Sequence, residues 1–216
     1  MTKIRKLRHF FLVGALCFIS FAYTGAYFSD NVGSSGNSIA AGSWTPGPAK
    51  ITEVFYNPLG PVADTGREWI EITNTGPYTV DLDGYVLHFD GTGTHDFIFP
   101  DFSLLSGAKA VVHVRASGTN SSTDLYWTDT NGINMGDSYG SVGLFKSLPK
   151  DDTTIRDFVQ YGARDQDGEP KAVLAGIWAD NTFVPVIAEG HSMELISTDN
   201  NQVSDWQDQI SPNPGS

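Results

Sequence analysis

Residues 64–76 read DTGREWIEITNTG and carry two glutamates, Glu68 and Glu71, three positions apart. Two carboxylates are the equipment of a glycosidase, provided that they flank one bond from about 5–10 Å apart and face the same cleft. The residues around them decide whether they can. EWIEIT is rich in β-branched and aromatic types and reads as a strand. In a strand successive side chains point to opposite faces, so Ile70, Ile72 and, at the rim, Glu68 share one side, while Trp69, Glu71 and Thr73 share the other. Glu68 and Glu71 look away from each other and are not an acid/base pair.

The remaining chemistry is sparse. Four histidines lie beyond the N-terminal segment: His88, His95, His113 and His191. His88 and His113 fall within strand-like runs and read as surface or half-buried sheet residues. His95 precedes Asp96 in GTGTHDF, a dipeptide without a placed nucleophile. Ser192 follows His191, but triads are assembled in space and not by adjacency. G-x-S-x-G, H-E-x-x-H and phosphate-binding glycine loops are absent from the sequence. Asp81-Leu-Asp83-Gly84 and Asp165-Gln-Asp167-Gly168-Glu169 space carboxylates as hard-cation ligands would be spaced. Neither completes a twelve-residue calcium loop, and Asp favours turns in any case. No catalytic, cofactor-binding or metal residue is therefore assigned; calcium stays as the minor alternative. Asn120-Ser121-Ser122 fits the acceptor pattern for N-glycosylation.

What would position these residues is a set of short strands. From residue 49 onward β-rich runs recur: 50–56, 68–73, 85–89, 96–99, 109–114, 141–145, 155–161 and 191–196. Turn chemistry separates them, at Asn57-Pro58, Asn74-Thr75-Gly76-Pro77, Asp83-Gly84, Asn131-Gly132 and Asp167-Gly168. In the same region, from residue 49 onward, no stretch of ten residues shows helical apolar spacing free of Gly or Pro. This pattern predicts an all-β sandwich or barrel. Gly84 and Gly107 suit tight strand entries, Pro100 falls between strands, and Trp127, in a turn-rich stretch, is expected to cap one open end.

The chain has 216 residues, 40% hydrophobic, enough for one domain with a core plus a tail. The first 26 residues hold Lys3, Arg5, Lys6 and Arg8 and no acid, which leaves nine basic against 25 acidic residues, a net of −16, for the rest. Such a body repels phosphate backbones and anionic lipid, so no nucleic acid is expected as partner; its natural ionic partner is a cation or a basic surface. The single cysteine, Cys17, lies in the apolar N-terminal run, so the body has no disulfide or cysteine metal site. The order basic, apolar (10–23), small is that of a secretory signal peptide, 1–26, cut after Ala26 or, alternatively, after Ala22. An uncleaved membrane anchor over 10–28 is the rival reading, and the sole route to a membrane. Either way the expectation is a secreted, extracellular or cell-surface body, with 27–48 a Gly-, Ser- and Pro-rich linker and 49–216 the domain.

The residues TGAYFSDNVGSSGNSIAAGSW (24–44) resemble the signal junction of camelysin and related biofilm-fibre proteins, with Asn37 and Ala41-Gly42 in place. ITEVFYNP (51–58), GREWIEITNTG (66–76), VDLDGYVL (80–87), FIFPDFSLLSGAKAVVHV (97–114) and DLYWTDTNGINMGDSYGSVGLF (124–145) resemble, in order and spacing, a lamin tail domain, most closely over 50–162. Residues 190–216 look like the closing segment of the secreted prokaryotic versions. The resemblance implies an immunoglobulin-like β-sandwich with an exposed glutamate, Glu53, in its first strand. It further implies a non-catalytic interaction or scaffolding module for an extracellular protein or glycan. The camelysin-like junction implies the alternative, a fibre subunit self-assembling through its freed N-terminal segment. An accessory role in a secreted hydrolase system is the second alternative.

Overall fold

A computed structural model describes residues 47–60, 66–91, 93–128, 134–197 and 201–216. Of two units, Met1–Trp44 and Thr45–Ser216, the description falls in the second. The signal peptide, Cys17, the camelysin-like junction and all but the end of the linker lie outside the described residues.

Two packed sheets form the sandwich. The larger is built from β1 (Ala49–Phe55), β2 (Trp69–Asn74), β7 (Lys109–Val114), β8 (Asp124–Trp127), β11 (Ser192–Leu195) and β12 (Trp206–Gln209), in the order β12-β11-β1-β2-β7-β8. The smaller holds β4 (Val86–Asp90), β5 (Thr94–Ile98), β9 (Gly140–Phe145) and β10 (Ile155–Tyr161), in the order β10-β9-β4-β5. A two-residue pair, β3 (Val80–Asp81) and β6 (Ser103–Leu104), stands apart. All pairings are antiparallel except β7 with β8.

Alternation explains the core. Ile70 and Ile72 of β2 and Ala110, Val112 and Val114 of β7 face inward, opposite Leu87 and Phe89 of β4 and Val142 and Leu144 of β9. β1 breaks its alternation once. Its register slips between Ile51 and Glu53, so Ile51 and Val54 both reach the core while Thr52 and Glu53 share the outer face. Where the two sheets meet, Lys50 Nζ lies 3.6 Å from Asp157 Oδ1, and Ile51 N–H donates to Asp157 Oδ2 at 2.6 Å, both side chains buried. Tyr56 stacks on Tyr161 at 3.9 Å between centroids; burial pushes the Tyr56 phenol up to about 12.

Turn chemistry falls where expected. Gly84 (φ 71°) and Gly107 (φ 73°) adopt the left-handed conformation that a side chain resists. Asn74 Oδ1 accepts from Gly76 N–H at 3.0 Å, closing an Asx turn. One position differs: Trp127 is the last residue of β8, not a turn residue, and is buried against Phe89 and Phe97 across the sheet gap. Between β10 and β11 runs an excursion, residues 162–191, with the short helix α1 (Glu169–Leu174). It brings Trp178 edge-on to Phe158, 5.7 Å between centroids, and buries Ala172 and Ile177 over the outer face of the smaller sheet. No helix among the described residues is long and apolar enough to cross a membrane.

Candidate functional site

The outer face of the larger sheet carries a row of side chains that runs across the strands. Register places Glu194 of β11 opposite Glu53 of β1, Glu53 opposite Glu71 of β2, Glu71 opposite Val111 of β7, and Val111 opposite Asp124 of β8. An outward glutamate on an open sheet would be solvated. Here Glu53 and Glu71 are each 1% exposed, because residues 210–216 fold back over them as a strap. Asn213 N–H donates to Glu53 Oε1 at 3.3 Å and Gly215 N–H to Glu71 Oε2 at 2.8 Å. Ser192 Oγ also donates to Glu53, Thr52 Oγ1 donates to Glu71 at 2.6 Å, and Lys109 Nζ lies 3.1 Å from Glu71. Gln207 and Gln209 amides donate to Glu194 at 2.8 and 3.1 Å. The exposed first-strand glutamate expected from the sequence is thus a buried one. Burial pushes the Glu53 carboxyl up, aided by the like charges of Glu71 and Glu194 and opposed by the Ser192 and Asn213 hydrogen bonds.

The strap covers Glu53 and Glu71. Beyond it the row continues into a groove of about 660 Å³ between the strap end (Pro214–Ser216) and the β7–β8 face, with Lys109, Val111, His113 and Asp124 on its floor. His113 Nε2 sits 2.9 Å from Asp124 Oδ1, and its ring stacks on Tyr126 at 4.7 Å. Hydrogen bonds from His113 and Thr123 hold the Asp124 carboxyl below the usual range. Lys109 Nζ also donates to the Ser216 carbonyl.

A second charged cluster lies on the outer face of the smaller sheet. His88, expected at or near the surface, is buried with 1% of its side chain exposed. Its Nδ1 faces Asp96 Oδ1 at 2.6 Å and its Nε2 faces Asp167 Oδ2 at 2.8 Å. Lys150 Nζ lies 2.6 Å from Asp96, and Lys171 Nζ 3.1 Å from Asp167. Burial works against both aspartates, yet the lysines and His88 outweigh it and hold both carboxyls below the usual range. The cluster ties β4, β5, the β9–β10 loop and the excursion together.

The sequence candidates separate accordingly. Glu68 and Glu71 lie on opposite sides of the sheet: Glu68 Oε2 accepts from Met135 N–H at 3.3 Å, whereas Glu71 lies under the strap. Asp96 pairs with His88 across the β4–β5 ladder rather than with its chain neighbour His95, whose ring packs against Phe89 and Trp127. His191 pairs with Asp208 at 2.7 Å, and Ser192 is spent on Glu53. Of the calcium candidates, Asp81 Oδ1 accepts from Asp83 N–H at 3.0 Å; Asp167 serves His88 while Glu169 accepts from Asn181 N–H at 2.8 Å. Among the described residues no three His, Cys, Asp or Glu are grouped to hold a metal ion. Asn120 Oδ1 accepts from Tyr126 N–H and Ser121 Oγ from Asp124 N–H, both at 2.9 Å, so the acceptor tripeptide clamps the outer edge of β8. Sequence reasoning missed the groove and the His88 cluster; the one available signal was an outward glutamate on each of three strands that pair side by side.

The immunoglobulin-like sandwich can be set against known families. A family model described as Lamin Tail Domain matches residues 43–163. The chain belongs to that family. Among curated proteins, none matches the chain. The lamin tail match ends just after β10, so the excursion that covers one outer face and the strap that covers the other both follow it. Lamin tail domains are a non-enzymatic family, and this fold is that of an interaction module.

Proposed function

We propose that this lamin tail domain is exported and acts outside the cell, at the surface or in the matrix, as a non-catalytic module that binds protein or glycan. The observation that carries this reading is the groove beside the strap, an open recess on the outer face of the larger sheet. Its ionisable side chains are paired with one another, His113 with Asp124 and Lys109 with Glu71, so it is built to hold a partner rather than to present a nucleophile. Export is supported by the basic, apolar and small order of residues 1–26 and by the acidic body. The calcium alternative finds no support in the way Asp81, Asp83, Asp165, Asp167 and Glu169 are engaged or spread.

The test is capture of surface proteins and binding to a glycan array by the protein from residue 27 onward. Saturable binding lost on filling the groove supports the reading. Turnover of a nuclease, protease or glycosidase substrate, abolished by substituting His113 or Asp124, would overturn it. The fibre alternative predicts that residues 27–216 assemble while 49–216 stay monomeric, which light scattering on size-exclusion peaks decides. The Asn120–Ser121 clamp speaks against strand addition at β8, since the N–H groups that a new strand would need are taken.

A further inference from the structure

We infer that the groove takes an extended basic peptide of a partner protein, laid across the strands in continuation of the strap, with a lysine or arginine meeting Asp124. The inference rests on the reading of this face as the binding face and names the partner's chemistry. The strap shows how this face holds polypeptide. Asn213 and Gly215, two residues apart, hand successive backbone N–H groups to carboxylates on adjacent strands, and strands lie about 4.8 Å apart. One strand further, the row offers Val111, which has no acceptor, and the next offers Asp124. A chain that follows the same line crosses Val111 by apolar contact and brings a donor to Asp124.

Asp124 is ready to receive one. Its side chain is 40% exposed. It accepts from His113 at Oδ1 and from Thr123 and, at 3.4 Å, Ser121 at Oδ2; a carboxylate has about four acceptor positions, which leaves one. At the strap end, Lys109 engages Glu71 and the Ser216 carbonyl; an ammonium has three N–H groups, which leaves one for a peptide carbonyl. The net charge of −12 for the whole chain draws a cationic segment and repels an acidic one. A second copy of this acidic domain is disfavoured on the same ground.

The test maps amide shifts of the purified, strap-bearing protein on titration with three probes: the amidated peptide Gly-Lys-Gly-Lys-Gly, its glutamate counterpart, and chitotetraose. The lysine peptide is expected to shift amides over 107–113, 123–124 and 215–216, with affinity at least tenfold above the glutamate peptide and falling with salt. Asp124→Asn should weaken it about fivefold or more. Thr123→Lys, at an exposed position that places a cation in the groove, should do the same if Asp124→Asn disturbs folding. Shifts elsewhere, or equal affinity for both peptides, overturn the inference and leave the module reading standing. Chitotetraose alone shifting the groove also overturns the inference, and makes the module a glycan binder. No shift with any probe overturns both.

Discussion

The two outer faces of the sandwich are both covered, and they solve the burial of carboxylates in opposite ways. On the smaller sheet Asp96 and Asp167 meet cations, the His88 ring, Lys150 and Lys171, and their carboxyls are held below the usual range. On the larger sheet Glu53 meets the neutral donors Ser192 and Asn213 N–H between two like charges, and its carboxyl is pushed up. Burial alone therefore does not fix the direction of the shift; the charge of the donors does. Both covers come from chain that follows the matched residues 43–163.

The comparison breaks most visibly where charge pairing is deepest. Lys50→Met takes the ammonium away from Asp157 at the sheet junction, where the two side chains are 8% and 1% exposed. It is expected to cost about 3–5 kcal/mol in chemical denaturation, as for an ion pair that loses one partner. His88→Ala should cost about 2–3 kcal/mol, less because Asp96 and Asp167 keep 36% and 42% exposure. It should also open residues 162–191 to protease before the rest of the domain.

The pH dependence sharpens the contrast. Asp96 and Asp167 are depressed in the fold, so their stabilisation is full above the ordinary Asp value of about 3.9 and is lost as pH falls through the depressed values. Glu53 is raised, so the folded state holds its proton more tightly than the unfolded chain. Its contribution worsens as pH rises from the ordinary Glu value through the raised one, and the cost is full above that. Glu53→Gln should remove this decline and stabilise the protein at neutral pH. Thermal midpoints of the two proteins across pH decide it; a loss of stability at neutral pH would count against the reading of Glu53 as a strained charge. The smallest effect belongs to a position under neither cover. Gly107→Ala introduces a side chain at φ 73° with open space around it, and should cost about 1 kcal/mol by backbone strain alone.

Sequence reading reached the strands that periodicity marks. The runs at 109–114 and 155–161 coincide with β7 and β10, and the other six lie within two residues of their strands. It missed β8, whose DLYW is four residues long and pairs in parallel, and β12, whose WQDQ is polar on both sides of Trp206. It missed α1, where Gly168 and Pro170 hide a six-residue helix. The charged faces were illegible for a different reason. Alternation says that Glu71 and His88 point away from the core, the lamin-tail resemblance implies the same of Glu53, and that is where they point. What covers them comes from residues 160, 144 and 79 positions away, and no local pattern carries that information. The opposed directions of Glu68 and Glu71, by contrast, depend on spacing alone and could be read directly.

The place of β1 in the larger sheet has a mechanical consequence. This strand, which follows directly on residue 48, is not at an edge; it is hydrogen-bonded to β2 on one side and β11 on the other. Tension drawn through the N-terminal end against a partner held on the sheet face would load those ladders lengthwise, in shear. Several hydrogen bonds on both flanks must then fail together instead of one after another, as they would in peeling an edge strand. A domain pulled through an inner strand in this way would resist being opened from its N-terminal end.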